Sequence, residues 1–307
     1  MKTVFLFPGQ GSQYVGMGKR LWEGDPSSRR LFEEANGILG FDLARLCFEG
    51  PAEELNQTVN AQPAIFLHSI AVFNLLKREG LRPEAVAGHS LGEYSALVAS
   101  GVLSFEDGLR AVKYRGQLMQ AAGEEQAGTM AAIIGLIADA VEEICSEVEG
   151  VVKVANYNSP SQLAVSGDWK AVERVVELAK EKGAKRAIPL KVSGAFHSPL
   201  MAPAKERMGE FLSRVKFHPP QVKFFSTVSA QGVDEPNRLR ELLQDQITSP
   251  VRWTETVEGL AALQSDAFLE VGPGKVLSGL VKRIVRGTRV YPISDQEELR
   301  DFLGNGF

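Results

Sequence analysis

Gly88-His89-Ser90-Leu91-Gly92 has the residue types and spacing of a nucleophile turn. The apolar run Ala85-Val86-Ala87 precedes it. An apolar helical stretch follows, from Glu93 to Ser100, with Gly101 as its stop. Strand, tight turn and helix in that order raise a serine hydroxyl above a sheet edge, beside the free N–H groups and positive dipole end of the helix. The same pentapeptide also suits a plain tight turn in which Ser90 only caps the helix. A serine nucleophile needs a base, and the chain has four histidines. His68 falls within an apolar helix predicted over Ala61 to Arg78. His89 points away from its neighbour Ser90 and is placed to support the turn. His218 precedes Pro219-Pro220, a surface-loop pattern. His197, in Val192-Ser193-Gly194-Ala195-Phe196-His197-Ser198-Pro199, stands where two domains are expected to join, which is a natural cleft wall. No carboxylate between Ser90 and His197 has the position of a third triad member, and a backbone carbonyl can orient the histidine instead.

Arg115 is the next candidate. On the helix that starts after Ser104, Leu109, Val112, Gly116 and Met119 form an apolar stripe, with Arg115 at its edge. One reading has the guanidinium snorkelling to water. The other turns it inward to hold a carboxylate through two parallel hydrogen bonds. A further candidate lies at Pro8-Gly9-Gln10-Gly11-Ser12-Gln13, directly after the apolar run Val4 to Phe7. The placement is that of a phosphate loop, but Tyr14 stands where the last glycine of G-x-G-x-x-G belongs, and no Walker lysine follows.

The elements that must position these residues alternate strand and helix. Val4 to Phe7 suits a strand buried on both faces. Ser104 and Asp107 form a capping-box-like start for a helix reaching about Ala122. The tract 126–196 has its own order: strand Met130 to Leu136, helix Asp139 to Glu149, strands Val151 to Asn156 and Leu163 to Ser166, helix Asp168 to Lys182, strand Arg186 to Val192. That order is the βαββαβ of a ferredoxin-like unit. The expected fold is therefore α/β: a large α/β-hydrolase-like domain with a parallel sheet, built from 1–125 and 197–307, carrying a small ferredoxin-like insert at 126–196. Later elements are a helix near Pro199 to Arg214, a strand at Lys223 to Ser226, helices near Arg238 to Gln246 and Trp253 to Leu263, and a strand at Ala267 to Val271 before a last helix.

The chain has 307 residues, 44% hydrophobic and 23% charged, an ordinary globular composition. A formal charge of -4 argues against nucleic-acid binding driven by overall charge. Cys47 and Cys145 sit in apolar helical patterns, as buried thiols of a reducing compartment do. The apolar start ends at Pro8, too early for a signal-peptide core, and the apolar tract around Met130 to Ile137 is too short for a span. A cytoplasmic protein is expected.

Phe7 to Gln13 (FPGQGSQ), Gly88 to Tyr94 (GHSLGEY), Tyr114 to Gln120 (YRGQLMQ), Asn156 to Pro160 (NYNSP), Gly194 to Met201 (GAFHSPLM) and Gln246 to Trp253 (QITSPVRW) occur in this order. Together they resemble the malonyl-CoA:acyl-carrier-protein transacylases of bacterial fatty-acid synthesis, over essentially the whole chain. The resemblance implies Ser90 as nucleophile and His197 as general base. It implies Gln10 and Leu91 as the backbone N–H donors of an oxyanion hole, and Gln246 as the residue whose main-chain carbonyl orients the histidine. Arg115 would bind the free malonyl carboxylate, with Met119, Asn156 and Asn158 lining or bracing the cleft. Phe196 matches a malonyl-type pattern, in which the ring leaves less room for an α-methyl group. The implied partners are malonyl-CoA and holo acyl carrier protein, with no nucleic acid and no membrane. A monomer is expected, with no metal or other cofactor. Lys182, Lys185, Arg186 and Lys191, with Lys275, Lys282 and Arg283, are candidates for a basic rim facing an acidic carrier protein, or are ordinary solvated charges. A serine esterase or thioesterase, an acyltransferase loading a polyketide carrier, and a non-catalytic carrier-binding module are the alternatives.

Overall fold

The first strand, β1 (Thr3–Phe7), is buried along its whole length. Its side chains alternate between two layers. Phe5 and Phe7 join the core cluster of Phe66, Ile70 and Phe73. Val4 and Leu6 join a second cluster with Trp253, Val257, Leu277 and Val281 on the opposite face. An unbroken apolar run thus becomes a central strand with helices on both sides. The computed structural model describes residues 2–304.

After β1 come four helices, α1 (Lys19–Gly24), α2 (Pro26–Leu39), α3 (Leu43–Glu49) and α4 (Ala52–Leu55), in a stretch that carries none of the motifs above. Next are α5 (Thr58–Arg78), β2 (Pro83–Gly88), α6 (Gly92–Ala99) and α7 (Phe105–Glu125). Helix α5 is long and apolar enough to cross a membrane by length and composition, but 83% of its most apolar window is buried inside the protein. It is the core helix against which β1 packs. Helix α7 starts as expected: Ser104 Oγ accepts the Asp107 N–H at 3.0 Å.

The next six elements are β3 (Gly128–Ile134), α8 (Ala138–Glu147), β4 (Val152–Ser159), β5 (Gln162–Asp168), α9 (Trp169–Glu181) and β6 (Arg186–Pro189). Their strands form a separate antiparallel sheet in the order β4-β5-β3-β6. The ferredoxin-like expectation holds. One face, with Ile133, Val154 and Val165, packs on Val141, Val172 and Val175 of α8 and α9. Met130, Ala155 and Ala164 instead join the core of the larger part. The last strand ends at Pro189, short of the expected Val192. Leu190 N–H still donates to the Met130 carbonyl at 2.8 Å, and Leu190 to Val192 line a cavity.

The chain continues through a 3₁₀ turn (Pro199–Met201) to α10 (Ala202–Leu212), β7 (Lys223–Ser226), β8 (Gln231–Val233), α11 (Pro236–Asp245), α12 (Trp253–Ala261), β9 (Ala267–Val271), α13 (Val276–Ile284), β10 (Val290–Ile293) and α14 (Gln296–Gly304). The large sheet runs β10-β9-β1-β2-β7-β8, parallel except for the edge hairpin β7–β8. Strands β8 and β10 have no counterpart in the sequence reading. A parallel bridge between Asn156 and Val251 joins the two parts. There Val251 N–H donates to the Ala155 carbonyl at 2.8 Å and Tyr157 N–H to the Val251 carbonyl at 2.9 Å.

Candidate active site

Strands β1 and β2 are parallel neighbours, with Phe7 opposite Gly88. The loops that leave their carboxyl ends therefore lie side by side, although they are far apart in sequence. His89 N–H donates to the Phe7 carbonyl at 3.0 Å and couples them. A Cβ on Gly88 would lie 1.9 Å from the Gly92 carbonyl carbon, and one on Gly92 would lie 2.0 Å from the Phe7 oxygen. These glycines are needed for close approach. The unusual backbone angle falls on Ser90 itself, at φ 52°. Such a conformation typically costs ~1–3 kcal/mol, which the surrounding packing must hold. On the neighbouring loop, Gly11 has φ 101° and turns the chain after Gln10. Ser12 Oγ donates to the Gly9 carbonyl at 2.8 Å and fixes that turn. Among the described residues, neither the Gln10 N–H nor the Leu91 N–H has an acceptor in the protein.

Ser90 Oγ lies 2.8 Å from His197 Nε2. On the other side of the ring, Nδ1 lies 2.8 Å from the Gln246 carbonyl and 3.1 Å from that of Ser249. Carbonyls only accept, so Nδ1 carries the proton and Nε2 is free to take one from the serine. His197 has φ 59°, and Ser198 Oγ closes its turn by donating to the Ala195 carbonyl at 2.6 Å. Burial, and then the nearby Arg115 charge, push the His197 pKa from 6.5 down to about 3. The ring is a neutral base throughout the physiological range.

Arg115 is 1% exposed, so it faces inward and does not snorkel. Its Nη1 donates to Gln62 Oε1 at 2.9 Å, and its Nη2 to Gln246 Oε1 and to Ser90 Oγ, both at 3.0 Å. The guanidinium also lies 5.7 Å from the Tyr94 ring centroid. All three oxygens it reaches are uncharged. A cavity of about 580 Å³ opens at this point, lined by Gln10, Ser90, Leu91, Arg115 and His197 on one side and by Asn156, Asn158 and Ala164 of the small sheet on the other. Met119, Met130, Phe196 and Leu280 supply apolar wall. Among the described residues, no three His, Cys, Asp or Glu side chains gather as a metal site requires.

A family described as "Acyl transferase domain" matches residues 4–299. The chain belongs to that family. It is 50% identical over 301 residues to a Bacillus subtilis protein named malonyl CoA-acyl carrier protein transacylase, covering 97% of this chain and 95% of that one. A protein of the same name from Escherichia coli K12 is 45% identical over 285 residues, 92% of each chain. Among solved structures, an acyl carrier protein S-malonyltransferase from Vibrio cholerae has a TM-score of 0.95 at 43% identity, covering 98% of this chain and all of that one. A malonyl-transacylase solved in complex with its type II PKS acyl-carrier protein has a TM-score of 0.96 at 41% identity, covering 100% of both chains.

In this acyl transferase domain the predicted site residues converge, with one exception of position. Gln246 is fully buried behind the cavity and reaches the site through its carbonyl and its amide. His89 Nε2 meets Asn158 Oδ1 at 2.8 Å, which ties the turn to the small sheet. His68 is buried against the Ser294 carbonyl, and His218 is exposed. Burial pushes both cysteine thiols up to about 12. The basic rim is only partly free: Lys191 lines the cavity, whereas Lys182 pairs with Glu147 at 2.9 Å and Arg283 donates to Gln162 at 2.6 Å. Gln62, Glu93 and Ser249 escaped the sequence reading. Gln62 is one of the few polar residues buried in the mostly apolar helix α5. Glu93 stands within GHSLGEY and is fully buried, which a glutamate rarely is without a role. Ser249 acts through its carbonyl, which carries no side-chain signal.

Proposed function

We propose that this acyl transferase moves a malonyl group from malonyl-CoA to the phosphopantetheine thiol of an acyl carrier protein, through an ester on Ser90. The observation that carries the reading is the buried Arg115 guanidinium, hydrogen-bonded to the Ser90 hydroxyl and otherwise held by neutral amides. A buried cation so held favours an acyl group that brings its own carboxylate. The names of the Bacillus and Escherichia relatives, and the carrier-protein complex among the related structures, support the same substrates.

In this scheme His197 Nε2 takes the Ser90 proton as Oγ attacks the thioester carbonyl. The oxyanion is met by the Gln10 and Leu91 N–H groups; one such donor is typically worth on the order of 10²–10³ in rate. The Gln246 and Ser249 carbonyls stabilise the imidazolium in place of a carboxylate. The CoA thiol leaves with the proton from His197, and the carrier thiol attacks the ester by the reverse steps. A thioester is already activated, so the scheme uses no metal or redox cofactor. Phe196 narrows the space beside the acyl α-carbon. The halves 1–125 and 197–307 carry the chemistry, the segment 126–196 covers it, and the enzyme acts in the cytoplasm on substrates made there.

Intact mass after incubation with malonyl-CoA tests this. The wild-type chain gains one malonyl group, and holo acyl carrier protein then removes it onto itself. Ser90→Ala gains nothing. Adduct on the alanine variant would exclude Ser90, and loss of the adduct to water at the same rate without carrier protein would favour a thioesterase.

A further inference from the structure

The buried carboxylate of Glu93 is unused by the scheme above. Its Oε1 accepts from Thr227 twice, from the backbone N–H and from Oγ1, the latter at 2.8 Å. Its Oε2 accepts from Gln246 Nε2 at 2.6 Å. The same Nε2 also donates to the Ser90 carbonyl at 3.0 Å, and the amide oxygen of Gln246 accepts from Arg115 Nη2 at 3.0 Å. An isolated amide can turn end for end at little cost, because its two ends differ only in donor and acceptor character. Turned over here, it would aim an NH₂ group at the guanidinium. Both Glu93 oxygens are placed to accept, so the side chain holds the NH₂ end and leaves the amide oxygen for Arg115.

We infer that Glu93 is a positioning residue: it fixes the orientation of the Gln246 amide, and through that amide sets the Arg115 guanidinium toward the acyl carboxylate. The inference rests on the proposed role of Arg115. Three donors surround the carboxylate, and a neutral side chain with one accepting oxygen cannot serve all of them. Thr227 and Gln246 sit on opposite sides of it, so the structural and the functional contacts can be separated by mutation. Burial pushes the Glu93 pKa up to about 7, and the Thr227 and Gln246 hydrogen bonds, then the Arg115 charge, pull it back toward the ionised form.

The test compares malonyl-CoA with acetyl-CoA, which has no carboxylate for Arg115 to bind. A preference for malonyl-CoA in the unmodified enzyme checks the role of Arg115 first; its absence removes that role without involving Glu93. Given the preference, Glu93→Gln lowers kcat/KM for malonyl-CoA by on the order of tenfold, as expected for one misplaced hydrogen bond to a charged group, and changes acetyl-CoA much less. Thr227→Val lowers the melting temperature and leaves the malonyl-to-acetyl ratio unchanged. In a Gln246→Met background the effect of Glu93→Gln on the ratio disappears, since the amide that transmits it is gone. A folded Glu93→Gln enzyme with the wild-type ratio overturns the inference, as does a Thr227→Val enzyme with a narrowed ratio. Should Glu93→Gln fail to fold, Gln246→Met alone narrows the ratio by the same factor, and an unchanged ratio there overturns it equally.

Discussion

The large and small sheets both line the cavity at Ser90, by different means. The large sheet works through main chain. Parallel β1 and β2 bring two loops together at their carboxyl ends, and glycines there leave no room for a methyl group. Ser90 is held at a backbone angle it would not adopt alone. The small sheet works through side chains. Met130, Asn156, Asn158 and Ala164 reach the cavity, while the opposite face of its strands serves the core under α8 and α9. Bond-making groups need placement to a fraction of an ångström, and here the nucleophile sits on backbone held by close approach. The wall opposite tolerates more, because it shapes the space.

The strongest test of that contrast is Gly88→Ala. The added methyl group would lie 1.9 Å from the Gly92 backbone, so the turn has to move. Overpacking typically costs ~1–3 kcal/mol and occasionally more, a contact this close to backbone belongs at the upper end, and a displaced Ser90 loses its 2.8 Å contact with His197. We expect a large fall in melting temperature and no acyl adduct by intact mass. An alanine variant of wild-type stability and rate would show that the turn is not held by close approach.

Second in size is Arg115→Ala. Removing one partner of a buried, hydrogen-bonded charge pair typically costs ~2–5 kcal/mol. We expect kcat/KM for malonyl-CoA to fall by at least about 30-fold on that basis, with acetyl-CoA much less affected. Equal losses on both thioesters would reduce Arg115 to a brace for Ser90.

What could be read from sequence follows the same division. The main-chain devices leave strong marks, because only certain residues allow them: GHSLG between a strand and a helix, and PGQG after a buried strand. The insert was legible from its element order. Arg115 had two readings, and only its 1% exposure separates them. The carbonyls of Gln246 and Ser249 leave no mark of their own, since any residue offers one; resemblance supplied the first and nothing supplied the second. Gln62 and Glu93 are polar residues whose burial depends on contacts far along the chain, such as Glu93 with Thr227 and Gln246. Helices α1 to α4 were missed for want of motifs. Lys182 looked like a free surface charge until Glu147 proved to be its partner.

The smallest effect is expected where the small sheet touches the turn. Asn158 Oδ1 accepts from His89 Nε2 at 2.8 Å, and the His89 ring packs edge-on to Trp253 at 5.4 Å. Asn158→Ala removes that acceptor and leaves a buried N–H unpaired, which costs ~1–3 kcal/mol unless water replaces the lost oxygen. The cavity beside Asn158 admits water, so the lower end applies. His89 also remains held by its own N–H bond to Phe7 and by the tryptophan. We expect a drop of a few degrees or less in melting temperature and a loss of a few-fold in kcat/KM. That loss should be the same for malonyl-CoA and acetyl-CoA, because Asn158 supports the turn and does not touch Arg115. A loss as large as that of Arg115→Ala, or one confined to malonyl-CoA, would mean that the small sheet takes part in the chemistry directly. The division between placing backbone and shaping wall would then fail.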